Sequence, residues 1–393
     1  MRPAPPGTLP AVRPVSPARL ALLLALAVLL LPASASARVP APWLGVQADG
    51  PLFGEAVDTR SEVGLMKRSG FGSMRVALYW DVAQPYATAA EVPPDQAGAF
   101  TDEGGTPTDW SALDLRVGLA TEQGLRLLPV VQRAPGWARR HPDLDNSPPS
   151  ASGVGAYARF FTALVHRYGP GGAFWAAHPE LPARPIRRWQ VWNEPDGERD
   201  WSDQPGVADY VKLLKPSYRA IKAADPGAQV VLAGLVGRSW SHLDEVYRRG
   251  GGRFFDVAAI HPFSLYVRNV LLILRRSRDD MRRHGDARKP LLATELSWPS
   301  AKGKTTVRYG FEVSEAGQAS RLRSSLRALA RTRKRLGLTG IFWSTWMSYD
   351  RDPTYAFDYA GLRRFAGGTV KSKPAFFAFR RVAHQLRAAP RRR

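Results

Sequence analysis

The chain has 393 residues, 44% hydrophobic and 23% charged, and its 56 Lys and Arg against 34 Asp and Glu give a formal charge of +22. That apolar content supports a large core and excludes a disordered chain, while the absence of cysteine excludes disulfides, thiolate metal sites and cysteine nucleophiles. The basic excess suits polyanions, but the cations are dispersed along helix-like stretches and form no nucleic-acid motif, so nucleic acid is not expected as a partner.

Residues 1–37 read as an export leader. Arg2, Arg13 and Arg19 give a basic start, Leu20 to Leu31 an apolar run, and Ala35-Ser36-Ala37 a small-residue cleavage site. The run falls well short of the roughly 20 residues that a membrane-spanning helix needs. A cleaved, secreted monomer is therefore expected, extracellular or cell-wall associated, with no stable membrane insertion. Its charge would be +19, since the leader removes three arginines and no acids from the +22 of the whole chain.

From residue 38 onward, β-branched apolar runs alternate with amphipathic stretches. Strands are predicted at Trp43–Ala48, Ser73–Leu78, Arg126–Val131, Arg188–Trp192, Gln229–Ala233, Asp256–Ile260, Leu291–Thr294 and Gly340–Trp343. Helices are predicted at Ser61–Gly70, Ser111–Gly124, Val154–Tyr168, Val207–Ala224, Leu243–Arg249, Val267–His284, Glu315–Leu336 and Pro374–Leu386. Gly70, Gly124 and Gly337 stand where left-handed helix caps are needed. Eight such alternations predict an α/β fold, a (β/α)8 TIM barrel forming a single domain over residues 38–390. The competing doubly wound sheet would carry a Gly-rich phosphate turn after its first strand, and none follows Trp43–Ala48. Five long connections, Gln84–Asp109, Arg133–Ser152, Pro195–Gln204, Pro299–Val313 and Met347–Thr369, all follow strands. In a barrel these wall the catalytic face. One long connection, Gly169–Arg187, follows a helix and belongs at the opposite end.

Two strands end in carboxylates. Trp189-Gln190-Val191-Trp192-Asn193-Glu194-Pro195 delivers Glu194 at a strand end, and Pro195 is expected to hold it extended. The run Leu291–Thr294 ends in Glu295, with Trp298 three positions later. A buried carboxylate needs a counter-charge. Arg75, inside the apolar strand Ser73–Leu78, is the expected partner, each residue accounting for the other.

With these residues the chain resembles the clan A glycoside hydrolases over nearly its whole length. In that clan an Asn-Glu-Pro glutamate ending strand four is the acid/base and a glutamate ending strand seven is the nucleophile, which here fall on Glu194 and Glu295. Arg133-Ala-Pro-Gly-Trp137 and Asp352-Pro…Tyr359-Ala-Gly-Leu362 make it most like family 39, with its β-xylosidases, α-iduronidases and exopolysaccharide endoglycosidases. The family 5 cellulase-like group is a close second.

The resemblance implies a retaining double displacement on a polysaccharide or oligosaccharide, with no cofactor. It also implies that Asn193 contacts a sugar 2-hydroxyl and that His261 belongs to the site. Phe263 stands where the clan commonly has a tyrosine against the nucleophile, and Tyr266 is the expected substitute. Trp80, Trp137, Trp192, Trp298, Trp343 and Trp346 fall at or just after strand ends, where indole faces could stack on pyranose rings. Of these, Trp343 or Trp346 matches the clan's stacking position beneath the reacting sugar. Lys302, Lys304 and Arg308 follow strand seven and point to an acidic substrate. Seven histidines show no paired metal-ligand spacing, so no metal is expected. The competing functions are a non-catalytic carbohydrate-binding barrel and a basic surface protein on anionic cell-wall polymer.

Overall fold

The computed structural model describes residues 38–387, so the expected leader over 1–37 lies outside the described residues. Eight strands form the central sheet: β1 Leu44–Ala48, β2 Ser73–Tyr79, β3 Arg126–Gln132, β4 Arg188–Val191, β5 Gln229–Val231, β6 Ala258–Ile260, β7 Leu291–Leu296 and β8 Leu338–Trp343. All pair in parallel, in the order β5-β4-β3-β2-β1-β8-β7-β6. Single-residue bridges Val231–Val257 and Leu235–Ile260 join the two ends into a barrel. The strands read as near-continuous apolar runs because both faces are covered, by helices outside and by other strands' side chains within.

Each strand is followed by a helix: α1 Thr59–Ser69, α2 Ser111–Glu122, α3 Ala151–Tyr168, α4 Val207–Ala224, α5 Ser239–Arg248, α6 Val267–Arg283, α7 Glu315–Leu336 and α8 Pro374–Arg387. The sequence sets several ends locally. Asp58, Ser150 and Ser314 accept from the backbone N–H three residues on. Gly70 at φ 109° and Gly337 at φ 59° close α1 and α7 in the left-handed conformation that side chains resist. Among the described residues no helix is long and apolar enough to cross a membrane.

Two departures from the predicted elements bear on the site. The fourth strand stops at Val191, before the predicted Trp192, because Trp192 turns to φ 68°. The seventh runs on to Leu296, so Glu295 is held by the sheet rather than by a loop. Beyond the barrel, β9 Met347–Ser348, β10 Arg363–Ala366 and β11 Thr369–Ser372 make a small sheet after β8. It is tied down by the buried pair Lys373–Asp350 at 3.0 Å.

Candidate active site

Gln47 on β1, Arg75 on β2 and Gln190 on β4 are buried polar side chains in an otherwise apolar interior. A buried guanidinium must satisfy its donors or lose several kcal/mol, and Arg75 does so with four oxygens. It donates to Gln190 Oε1 at 2.7 Å, Gln47 Oε1 at 2.6 Å, Asn193 Oδ1 at 2.7 Å and Glu295 Oε1 at 2.7 Å. One side chain thus joins β1, β2, β4 and β7 at the level where the strands end. Ser344, just past β8, donates to the other Glu295 oxygen at 3.1 Å.

Glu194 faces Glu295 across His261. His261 Nδ1 lies 2.5 Å from Glu194 Oε1 and Nε2 lies 3.9 Å from Glu295 Oε1, with the imidazole fully buried. One atom from each of the three side chains falls within 4.8 Å of the others. The ring fits because position 234 is glycine: a Cβ there would stand 1.9 Å from His261 Nε2. Glu194 is not extended, contrary to expectation, but sits at φ 38°. The turn closed by Gly197 N–H on Glu194 C=O at 2.9 Å overrides the preference that Pro195 imposes.

The two carboxyls have opposite surroundings. Burial raises the pKa of Glu194, and the charge of Glu295 adds to this, outweighing the His261 hydrogen bond that lowers it. Burial would raise Glu295 too, but attraction from His261 and Arg75, with hydrogen bonds from Arg75 and Ser344, holds it below the ordinary value. Two further buried carboxyls line the same space. Asp49 is raised to about 6 by burial, against a hydrogen bond from Thr345. Asp200 is raised to about 7 by burial and the neighbouring Glu194 charge. A site of this kind can keep one carboxyl protonated beside an ionised one at the same pH.

The cavity over these groups measures about 460 Å³ and opens at the C-terminal ends of the strands. Phe263, Phe311, Phe357, Tyr309, Tyr349 and Tyr355 wall it. Phe263 stacks parallel to Phe311, with the edge of Phe357 at 4.8 Å, and Arg199 lies 3.7 Å over the Tyr355 ring. A larger hollow, about 660 Å³, opens at the foot of the barrel around Ser73, Arg126, Arg188 and Gln229, and no carboxylate lines it.

The structure therefore gathers Glu194, Glu295, Arg75, Asn193 and His261, and leaves the other expected residues outside the cavity lining. Tyr266 caps α6 on the outer surface, 42% exposed, beneath Arg268 and Arg321. It cannot replace the missing hydroxyl. Trp80, Trp298, Trp343 and Trp346 are buried in the core, while Trp137 is half-buried and outside the cavity lining. Trp80 and Trp137 pack edge to face on each other, and Trp298 donates to Leu265 C=O. Trp343 donates to Ala360 C=O, and Trp346 is fully buried with its indole N–H on Glu62. Apart from Phe263 after β6, the aromatic wall comes from the long connections after β7 and β8 and was missed by sequence reasoning. Their length was the one available signal.

Among the described residues, two groups have cation-binding geometry. In Glu194, His261 and Glu295, Arg75 already supplies the positive charge at 2.7 Å. Asp244 on α5, Asp280 on α6 and His284 just past the end of α6 lie outside the cavity lining.

No family model and no curated protein matches the sequence. Among solved structures the chain is similar to a family 39 glycoside hydrolase from the gut symbiont Bacteroides cellulosilyticus, at 19% identity and TM-score 0.61, over 90% of this chain and 65% of that one. It is also similar to a monomeric β-xylosidase from Caulobacter crescentus, at 19% identity and TM-score 0.57, over 87% and 69% of the two chains. A family 51 α-L-arabinofuranosidase from Bifidobacterium longum follows at 14% identity and TM-score 0.58, over 88% and 74%. The chain thus spans just under two thirds of the first of these. Likeness at these identities fixes the fold, a (β/α)8 barrel shared with clan A glycosidases.

Proposed function

We propose that the protein is a retaining glycoside hydrolase of clan A, most like family 39, with Glu295 as nucleophile and Glu194 as acid/base. One observation carries the reading: two carboxyls within 4.8 Å whose surroundings drive their protonation apart. The separation suits the roughly 5–5.5 Å of retaining pairs and leaves no room for the water that inverting pairs hold across roughly 6.5–9.5 Å. The ionised Glu295 attacks the anomeric carbon while Glu194 gives its proton to the departing oxygen. Glu194, now ionised, takes a proton from water, whose oxygen displaces Glu295 and restores both groups. In this reading Asn193, held by Arg75 at 2.7 Å, meets a hydroxyl of the reacting sugar. The carbohydrate substrates named for the similar structures support a polysaccharide or oligosaccharide substrate.

A 2-fluoro glycosyl inhibitor followed by peptide mapping tests the assignment. The label is expected on Glu295, and Glu194→Ala should still be labelled while losing turnover of substrates with poor leaving groups, with azide restoring turnover of activated ones. A label on any other carboxylate overturns the reading.

A further inference from the structure

On α7 the residues Leu322, Leu326 and Leu329 face the barrel, which leaves Arg323, Arg327 and Arg331 on the outer wall. These three recur every fourth residue, about 6 Å apart along one face. Like charges at that spacing destabilise a helix, and the hydrogen bond from Arg327 to the neutral Gln385 Oε1 at 2.8 Å offsets none of the charge. The only acid on α7 is Glu315, which is paired to Arg364, and among the described residues no carboxylate lies within ion-pair distance of the three arginines. The cations of the last turn, Arg333, Lys334 and Arg335, suit the negative end of the helix dipole. Arg323, Arg327 and Arg331 have no such reason.

At the head of the same helix, Lys302, Arg308 and Arg321 line a hollow of about 510 Å³. Its one carboxylate, Glu312, is taken up by the backbone N–H groups of Tyr309 and Gly310 at 2.5 and 3.0 Å. None of the three cations has an ion-pair partner among the described residues, and Tyr309, next to Arg308, lines the catalytic cavity. The cavity itself holds Asp49, Asp200 and Asp358 besides the working pair, against Arg75 and Arg199. Carboxyls thus outnumber cations five to two inside the cavity, while immediately outside it the cations stand without ion-pair partners among the described residues.

We infer that this hollow and the α7 wall form a docking track for a uronate-bearing polysaccharide, with a neutral residue presented to the cavity and carboxylates flanking it held by arginine. The choice of polysaccharide rests on the glycosidase reading. The track itself rests on charge geometry, since arginine forks match carboxylates bidentately.

The test uses the whole protein carrying Glu295→Gln, so that the probe is not consumed, and measures affinity for polygalacturonate, a neutral glucan and duplex DNA. Polygalacturonate should bind at low ionic strength and be released by salt, with the glucan far weaker. Adding Arg323→Gln, Arg327→Gln and Arg331→Gln should weaken polygalacturonate binding at least tenfold. Arg68→Gln, Arg159→Gln and Arg219→Gln, which remove the same charge from other helices, should change it less than twofold. Absent polygalacturonate binding, equal losses in the two triple variants, or tighter binding of DNA than of polygalacturonate would each overturn the proposal. Because binding is read without turnover, its failure is separate from failure of the labelling experiment on the wild-type protein.

Discussion

The guanidinium of Arg75 holds four side-chain oxygens, and only one of them carries a charge. Its charge acts mainly on Glu295, while its hydrogen bonds also hold Gln47, Gln190 and Asn193 in register. Arg75→Met would leave Glu295 buried without its counter-charge, a loss of about 3–5 kcal/mol for a pair of this kind. The direction on catalysis follows from the pKa. Arg75 lowers Glu295, so its removal raises Glu295, and the acid limb of kcat/KM should move to higher pH. An unmoved acid limb in a folded variant would sink the nucleophile assignment. Arg75 and Glu295 were legible in the sequence because a charge inside an apolar strand is expensive and calls for a partner. A strand-end indole is as well placed to fill the core as to face a ligand, and all the expected tryptophans but the half-buried Trp137 are buried in the core.

The tips of β4, β5 and β6 meet because parallel pairing continues past their ends by single bridges, Asn193–Gly234 and Leu235–Ile260. This brings Gly234 against His261 and sets the imidazole between the two glutamates. Gly234→Ala would place a methyl 1.9 Å from His261 Nε2, so the ring must move. Overpacking should cost about 1–3 kcal/mol. The more telling effect is on Glu194, whose His261 hydrogen bond works against burial. Without it Glu194 rises further, and the basic limb of kcat/KM should shift upward while kcat falls about 10–100-fold. A fall in kcat with the basic limb unmoved would show that His261 does not tune Glu194. The strand order was readable because strands buried on both faces leave apolar runs with a fixed rhythm. The backbone of Glu194 was not readable, since a local proline preference lost to a turn set by tertiary contacts. The phenylalanine and tyrosine wall lies in irregular loops that carry no periodicity to read.

Across the whole molecule the cavity gives stability an unusual pH dependence. Asp49 and Asp200 titrate near 6 and 7 when folded, against about 3.9 for an unfolded aspartate. The folded state holds their protons more tightly, so their contribution is fully present below about pH 4 and is lost as pH rises through 6 and 7. Glu194 acts in the same sense, as does His242, whose hydrogen bond to Asp196 raises it. Paired surface aspartates such as Asp203, Asp209 and Asp244 are lowered and lose their contribution only in acid. The melting temperature of the free protein should therefore decline from pH 5 to pH 8. High salt is the proper condition, because it screens the self-repulsion of a chain with a +22 charge. Asp49→Asn with Asp200→Asn should flatten the decline, gaining stability over wild type at pH 8 and little at pH 5. A wild-type melting temperature that climbs across this window, or a double variant whose curve runs parallel to it, would mean that these carboxyls are ionised and at ease in the folded protein.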